Sequence, residues 1–426
     1  MEESLGLHLG PEGEDWRVPV QELEQRQHQF AQLLGEHGHE GALIHHPIDL
    51  YYFTGGRQDS TFFIPANGAP GSEESGGDGP IAFVRRSLRR AIYEAGGDNA
   101  PHRIEEFGRL SQFSNRLKSM GVSRKPSLQF GEIPSQFGMR FEAALHGLEG
   151  DVLDATSLVH NMREVKSAWE LEQMHIGAQV QRRMFDTIEA VGGEGMSELD
   201  LVAAAEAISR SEGFGGNVQM RRYPLQCDRG VIVAGRAGGV PSFFDSAIGG
   251  EGPHPLSGMG AGFNKVKRDE PVLVDLVHVH RGYVVDTTRI FVSGRLNSVW
   301  EERLDDMLTV KNTVIDVLDQ GMNCSQAWLE GLEVATELGH ADHLMGMAPD
   351  QSKFLGHSVG LQLDESPVIA QGFDRPLPIN GVMAIEPKVV HNDGSIGTED
   401  TWVRTQDGLE PITADADLPW LIYWDA

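Results

Sequence analysis

Pro271-Val-Leu-Val-Asp275-Leu-Val-His278-Val-His280-Arg281-Gly282-Tyr-Val-Val-Asp286-Thr-Thr-Arg289-Ile-Phe-Val292 is the stretch on which the fold turns. Two β-branched, apolar runs flank His280-Arg281-Gly282, the pattern of an antiparallel hairpin, and each run carries one carboxylate near its middle. The midpoint of Asp275 and Asp286 falls between His280 and Arg281, which predicts that the two side chains stand directly opposite each other on one face. Like charges facing each other in strands this apolar repel without solvent to relieve them, so something positive is expected between them.

The pattern recurs further on. Gly381-Val-Met-Ala-Ile-Glu386-Pro387 leads through His391-Asn392-Asp393-Gly394 to Ile396-Gly397-Thr-Glu399-Asp-Thr-Trp-Val403, and Asn-Asp-Gly is strong turn chemistry. The midpoint of Glu386 and Glu399 lies between Asn392 and Asp393, which predicts a second facing carboxylate pair. Between the hairpins stands Gly356-His357-Ser358-Val359-Gly360, a histidine with small neighbours that let it reach inward. Taken singly, an Asp in a strand is an edge residue as often as a ligand, and a His beside Gly is more often structural. Together, four carboxylates and an imidazole suit two divalent cations, with hard oxygen donors and one borderline nitrogen.

The remainder of the chain frames this centre. The 426 residues carry 35 Lys+Arg against 63 Asp+Glu, a formal charge of −28, which repels phosphate backbones and anionic lipid and sets aside nucleic-acid and membrane-surface partners. Apolar residues make up 40 %, enough for globular cores, and the length suits two or three domains. The opening Met1-Glu2-Glu3-Ser4 lacks a basic n-region and no long uncharged apolar run occurs, so a cytoplasmic protein is expected. Cys227 and Cys324 are too few for a disulfide framework or a CxxC zinc site.

Val20 to His37 reads as a helix, Gly41 to Ile44 as a buried strand, and Leu50 to Thr54 as a further element closed by Gly55-Gly56. Ala66 to Pro80, rich in Gly, Pro and Ser, reads as an exposed loop before a strand at Ile81 to Val84. Ser167-Ala-Trp-Glu170 is a capping box opening a long helix, and Ser197-Glu-Leu-Asp200 opens another. Helices are expected around Val299 to Leu318 and Ser325 to Leu338. The boundary is placed at 160/161, giving domains 1–160 and 161–426 and an α/β (α+β) fold class. Gly258-Met-Gly-Ala-Gly262 lacks the preceding strand and the Lys-Ser/Thr ending of a phosphate loop.

The order Asp275, Asp286-Thr-Thr-Arg289, Gly356-His357-Ser-Val-Gly360, Ile385-Glu386-Pro387 and Glu399-Asp400 resembles the ligand set of the methionine aminopeptidase / aminopeptidase P / prolidase / creatinase superfamily, M24-type metallopeptidases. Gly41-Ala-Leu-Ile, Leu50-Tyr-Tyr-Phe-Thr-Gly55 and the linker Arg163-Glu-Val-Lys166-Ser-Ala-Trp-Glu170 resemble its two-domain creatinase / aminopeptidase P / Xaa-Pro dipeptidase branch. The resemblance implies an N-terminal creatinase-like α/β domain followed by a pseudo-symmetric pita-bread catalytic domain. It implies two divalent ions, of manganese, cobalt, iron or zinc, with Asp275 chelating one, Asp286 and Glu399 bridging both, and His357 with Glu386 completing the second site. It also implies a small peptide or small-molecule substrate, Glu386 as the group that takes and returns a proton, and a homodimer.

Three positions depart from the pattern. Proline-specific members carry histidines where this chain has Lys353 and Asp364, and an arginine where it has Gly397. Those groups orient substrate and stabilise charge at the scissile carbonyl, so Lys353 is a candidate replacement cation and Asp364 a candidate substrate contact. His254, in Gly252-Pro-His-Pro255, is a further candidate for catalysis and substrate binding, since the family often places a histidine on a loop upstream of the first Asp. The expectation is an Xaa-Pro aminopeptidase or dipeptidase. The alternatives are a creatinase-like non-peptide C–N hydrolase or lyase on the same scaffold, and a non-catalytic binding module.

Overall fold

The computed structural model describes residues 6–216, 218–222, 226–227 and 230–424; Met1 to Ser4 and the Cys227 side chain lie outside the described residues. The chain divides into two compact units, Met1–Met162 and Arg163–Ala426.

In the first unit, strands Gly41–Ile44, Ser60–Pro65, Ile81–Val84 and Arg103–Glu106 form a sheet in that order, antiparallel except for the last pair. The first three strands are buried at every position, apolar throughout except for Ser60 and Thr61 at the start of the second. The helix over Val20–Glu36 forms as expected, and Leu50 to Thr54 belongs to a helix, Pro47–Thr54, opened by proline at its first turn and closed by left-handed Gly55. The Ala66-to-Pro80 segment is less exposed than its composition suggests. Gly71 and Ser72 are buried, Ser72 caps a 3-10 turn at Glu73–Ser75, and a Cβ on Gly71 would approach Val122 to 3.1 Å. Local hydrogen bonds from Gly77 to Ser72 and from Gly79 to Gly71 offset the entropy of ordering it.

The second unit is built twice over. Helices Ala168–Val191 and Glu198–Ser211 accompany the hairpin Val272–His280 / Tyr283–Val292, and helices Ser298–Asp319 and Cys324–Glu337 accompany the strands around Glu386 and Glu399. Ser167 and Ser197 form the capping boxes that the sequence announces, and Asn297 caps the third helix through the amides of Val299 and Trp300. One sheet runs Leu421–Tyr423, Tyr283–Val292, Val272–His280, Gly230–Ala234; the other runs Glu365–Ala370, Phe354–Ser358, Val382–Ile385, Asp400–Arg404, Leu409–Pro411. Gln181 fixes the long first helix on its hairpin by donating to the backbone carbonyls of Leu276 and Val285. Among the described residues, no helix is long and apolar enough to cross a membrane.

Candidate metal centre

The first hairpin turns at Arg281-Gly282, one residue later than the carboxylate midpoint, because both central residues need positive φ: 50° at Arg281 and 98° at Gly282. Asp275 therefore pairs with Thr288 and Asp286 with Val277. The two carboxylates share a face on the diagonal instead of facing directly, which lengthens their separation and eases their repulsion. The second hairpin has the expected register. Ile385 pairs with Asp400 and Lys388 with Gly397, so Glu386 and Glu399 are opposed across a break at Glu386-Pro387 that leaves the ladder open.

The two hairpins meet at this break. Thr288 donates its amide to the Glu399 carbonyl at 3.2 Å and its hydroxyl to Glu399 Oε2 at 2.9 Å. Asp286 and Thr401 exchange backbone and hydroxyl bonds, and Arg289 pairs with Asp400 at 3.0 Å and reaches the Glu399 carbonyl. The third element is the strand Phe354–Ser358, where His357 pairs with Ala384. Its Nε2 lies 3.3 Å from Glu386 Oε1, and its Nδ1 lies 3.9 Å from Asp364 Oδ1. Asp275, Asp286, His357, Asp364 and Glu386 all line one cavity, walled by Met220, Val231, Phe244, Met259, Phe354 and Leu363.

Asp286, His357, Glu386 and Glu399 are buried, and Asp275 is nearly so. Burial, with Glu399 and Asp275 nearby, pushes the Asp286 carboxyl well above the usual range. Burial would also raise Glu386, but Lys388 and His357 pull it below its ordinary value. Burial would lower His357, yet the carboxylates of Glu386, Asp364 and Glu399 raise it. Asp286 Oδ1 and Glu399 Oε1 are buried with no hydrogen-bond partner. One atom each from Asp286, His357 and Glu399 lie within 4.8 Å of one another. A buried carboxylate oxygen left bare is costly, and a cation is what such a donor set fits.

Of the other candidates, Asp364 is in the cavity, held by Arg222 at 3.3 Å. His254 is not among the residues lining that cavity: it is exposed in a tight turn with Ser257. Lys353 is exposed at a bend just before its strand, so it does not supply the missing charge. The residue the sequence reading passed over is Lys388. It is 1 % exposed, and its Nζ lies 2.6 Å from Glu386 Oε2, 2.6 Å from Glu399 Oε2 and 3.2 Å from Asp275 Oδ2. Burial alone would lower its pKa, but those carboxylates and Asp286 hold it well above the ordinary value. A signal for it existed, since a lone cation two residues after Glu386 in a strand leaves on the same face.

Two further residues were missed. Arg163 and Lys166 both bind the buried carboxylate of Glu365. Glu365 also accepts the Gln362 amide, so the linker cations anchor the turn that carries Asp364. Gly360 of the histidine motif leaves space for that carboxylate, which a Cβ would meet at 2.5 Å.

A mixed α/β fold with paired, tied hairpins around buried carboxylates and an imidazole defines a metallohydrolase scaffold. The profile of metallopeptidase family M24 matches residues 172–406, more than half of the chain, and the chain belongs to that family. An Xaa-Pro dipeptidase of Pyrococcus furiosus is 21 % identical over 396 residues, covering 92 % of this chain and 98 % of that protein. An Xaa-Pro dipeptidase of Lactobacillus delbrueckii subsp. lactis is 28 % identical over 199 residues, 46 % of this chain and half the length of that protein. Among solved structures, a dipeptidase of Mycobacterium ulcerans superposes with a TM-score of 0.75 at 19 % identity, covering 96 % of this chain and all of the other, which supports the two-domain pita-bread fold.

Proposed function

We propose that this chain is a metal-dependent Xaa-Pro peptidase that removes an N-terminal residue next to proline. The observation that carries the reading is the convergence of Asp275, Asp286, His357 and Glu386 on one cavity, with Glu399 within metal-ligand spacing of Asp286 and His357, and with Asp286 Oδ1 and Glu399 Oε1 buried and bare. Asp286, His357 and Glu399, which have metal-ligand spacing, are the proposed core of the metal site, Asp275 and Glu386 beside them are the further candidate donors, and the relatives named above supply the substrate class. A divalent ion bound there supplies Lewis-acid polarisation of a carbonyl oxygen. The chain's own groups do the rest. Glu386, whose Oε2 lies 2.6 Å from the Lys388 ammonium, would accept a proton from the attacking water and pass it to the leaving amine. His357 would give its ring nitrogen to the ion beside Glu386, and Phe244, Phe354 and Leu363 give the substrate an apolar wall.

The oxygen-rich donor set favours manganese, cobalt or iron over zinc. A homodimer in the cytoplasm completes the proposal, on the family resemblance for the dimer and on the acidic, cysteine-poor composition for the compartment; light scattering and cell fractionation test them. The second reading, a non-peptide C–N hydrolase or lyase, is favoured by Asp364, a carboxylate beside His357 where proline-specific relatives carry histidine. Metal-reconstituted protein is given Xaa-Pro dipeptides, longer Xaa-Pro peptides and small guanidino or amidino compounds. Turnover of Xaa-Pro bonds is expected, and its absence alongside turnover of the small compounds transfers the assignment.

A further inference from the structure

The centre already contains a cation of its own. The three hydrogens of the Lys388 ammonium have three acceptors, one on Asp275 from the first hairpin and one each on Glu386 and Glu399 from the second. Its place is made by its strand partner. A Cβ on Gly397 would stand 2.6 Å from Lys388 Cα and 2.7 Å from its Cγ, so only glycine leaves room for the lysine chain to lie as it does. Position 397 is also where the family resemblance leads one to expect an arginine. In this chain the positive charge stands on Lys388, the strand partner of Gly397, inside the carboxylate cluster.

An ion bound by those same three oxygens would have to stand where the nitrogen stands, because oxygen-ligated divalent ions sit at about 2.0–2.2 Å and one converging set of oxygens has one centre. Moving the ammonium aside would leave a buried charge unpaired, which the low-dielectric interior strongly opposes. The oxygens turned away from Lys388 differ. Asp286 Oδ1 and Glu399 Oε1 are bare, and the residues Asp286, His357 and Glu399 form the one three-residue cluster of metal-ligand spacing among the described residues.

We propose that Lys388 is a resident cation that takes one of the two ion positions of this scaffold, so that the chain holds a single divalent ion, at Asp286, His357 and Glu399. The inference rests on the metal-dependent reading of the same centre, and it concerns how many ions that centre takes.

The test counts ions. Full-length protein is reconstituted with manganese or cobalt, freed of excess by gel filtration and measured by elemental analysis, beside Lys388→Met and Lys388→Ala. One ion per wild-type chain and two per variant chain are expected. Two ions or none in the wild type overturn the proposal, as does an unchanged count in both folded variants. Should the variants fail to fold, anomalous scattering from wild-type crystals at the metal edge decides. One peak beside Asp286, His357 and Glu399 with Lys388 in place supports the proposal, and two peaks with Lys388 swung out refute it. The outcome is separable from the peptidase reading. Two ions with Xaa-Pro cleavage sink only this inference, and one ion without cleavage sinks only the other.

Discussion

The two hairpins solve one electrostatic problem differently. In the first, Val272–His280 and Tyr283–Val292 pair without a break, and the two-residue turn offsets Asp275 and Asp286 diagonally. In the second, Glu386 and Glu399 are directly opposed, the ladder opens at Pro387, and Lys388 reaches back between them. The first hairpin spaces its charges by register, and the second neutralises them with a counter-charge. Repulsion between buried carboxylates thus fixes neither register nor metal count by itself, since geometry and a lysine can each absorb part of it.

The largest expected effect breaks the pairing of the hairpins as one site. Asp286→Asn and Glu399→Gln should each lower kcat/KM on Xaa-Pro peptides by on the order of 10³-fold, and the double variant should lose little more, because groups acting as a unit are not additive. Fully additive losses in steady-state assays would mean that the hairpins serve separate centres. Next, Gly397→Ala should destabilise the second hairpin by about 2–3 kcal/mol in urea melts, since the new Cβ meets Lys388 Cα and the Pro387 carbonyl, both at 2.6 Å. A neutral result would show that the lysine side is free to move.

The first hairpin carries an acid liability on its helix-covered face. His278 is fully buried and bonded to Ser209, and burial, with His280 and Arg183 nearby, lowers its pKa to about 3. The unfolded imidazole titrates near 6.5, so between those values the unfolded chain binds the extra proton. The stability tied to His278 is whole above pH 6.5 and drains as pH falls toward 3, by about 2 kcal/mol at pH 5. His278→Gln should narrow the difference between melts at pH 7.5 and pH 5 by that amount, and an unchanged difference would show that His278 is not the group responsible. The smallest effect sharpens the contrast in turns. Gly282→Ala, at a φ of 98°, should cost about 1 kcal/mol in the same melts without touching metal content.

Local chemistry was legible wherever one segment contained its own answer. Ser167 and Ser197 announced their helices because the partners of a capping box lie three residues apart, and Asn392-Asp393 announced its turn because those residues tolerate tight backbone bends. The first turn was misplaced by one residue because the reading assumed that its carboxylates faced each other, whereas Gly282 supplies the second positive φ and pulls the turn toward itself. His254 was overvalued because its Gly-Pro-rich surroundings set only a turn, and nothing in them says which way the turn points.

The sequence alone determined the types of the candidate donors, their order along the chain and the hairpins they belong to, because side-chain chemistry, turn chemistry and period-two alternation are local properties. Tertiary structure alone decided that Lys388 fills the gap among Asp275, Glu386 and Glu399, that Arg163 and Lys166 serve Glu365, and that Lys353 and His254 stay outside. Whether a charge is ligand, counter-ion or bystander depends on which remote groups converge on it, and that convergence is a property of the packed chain.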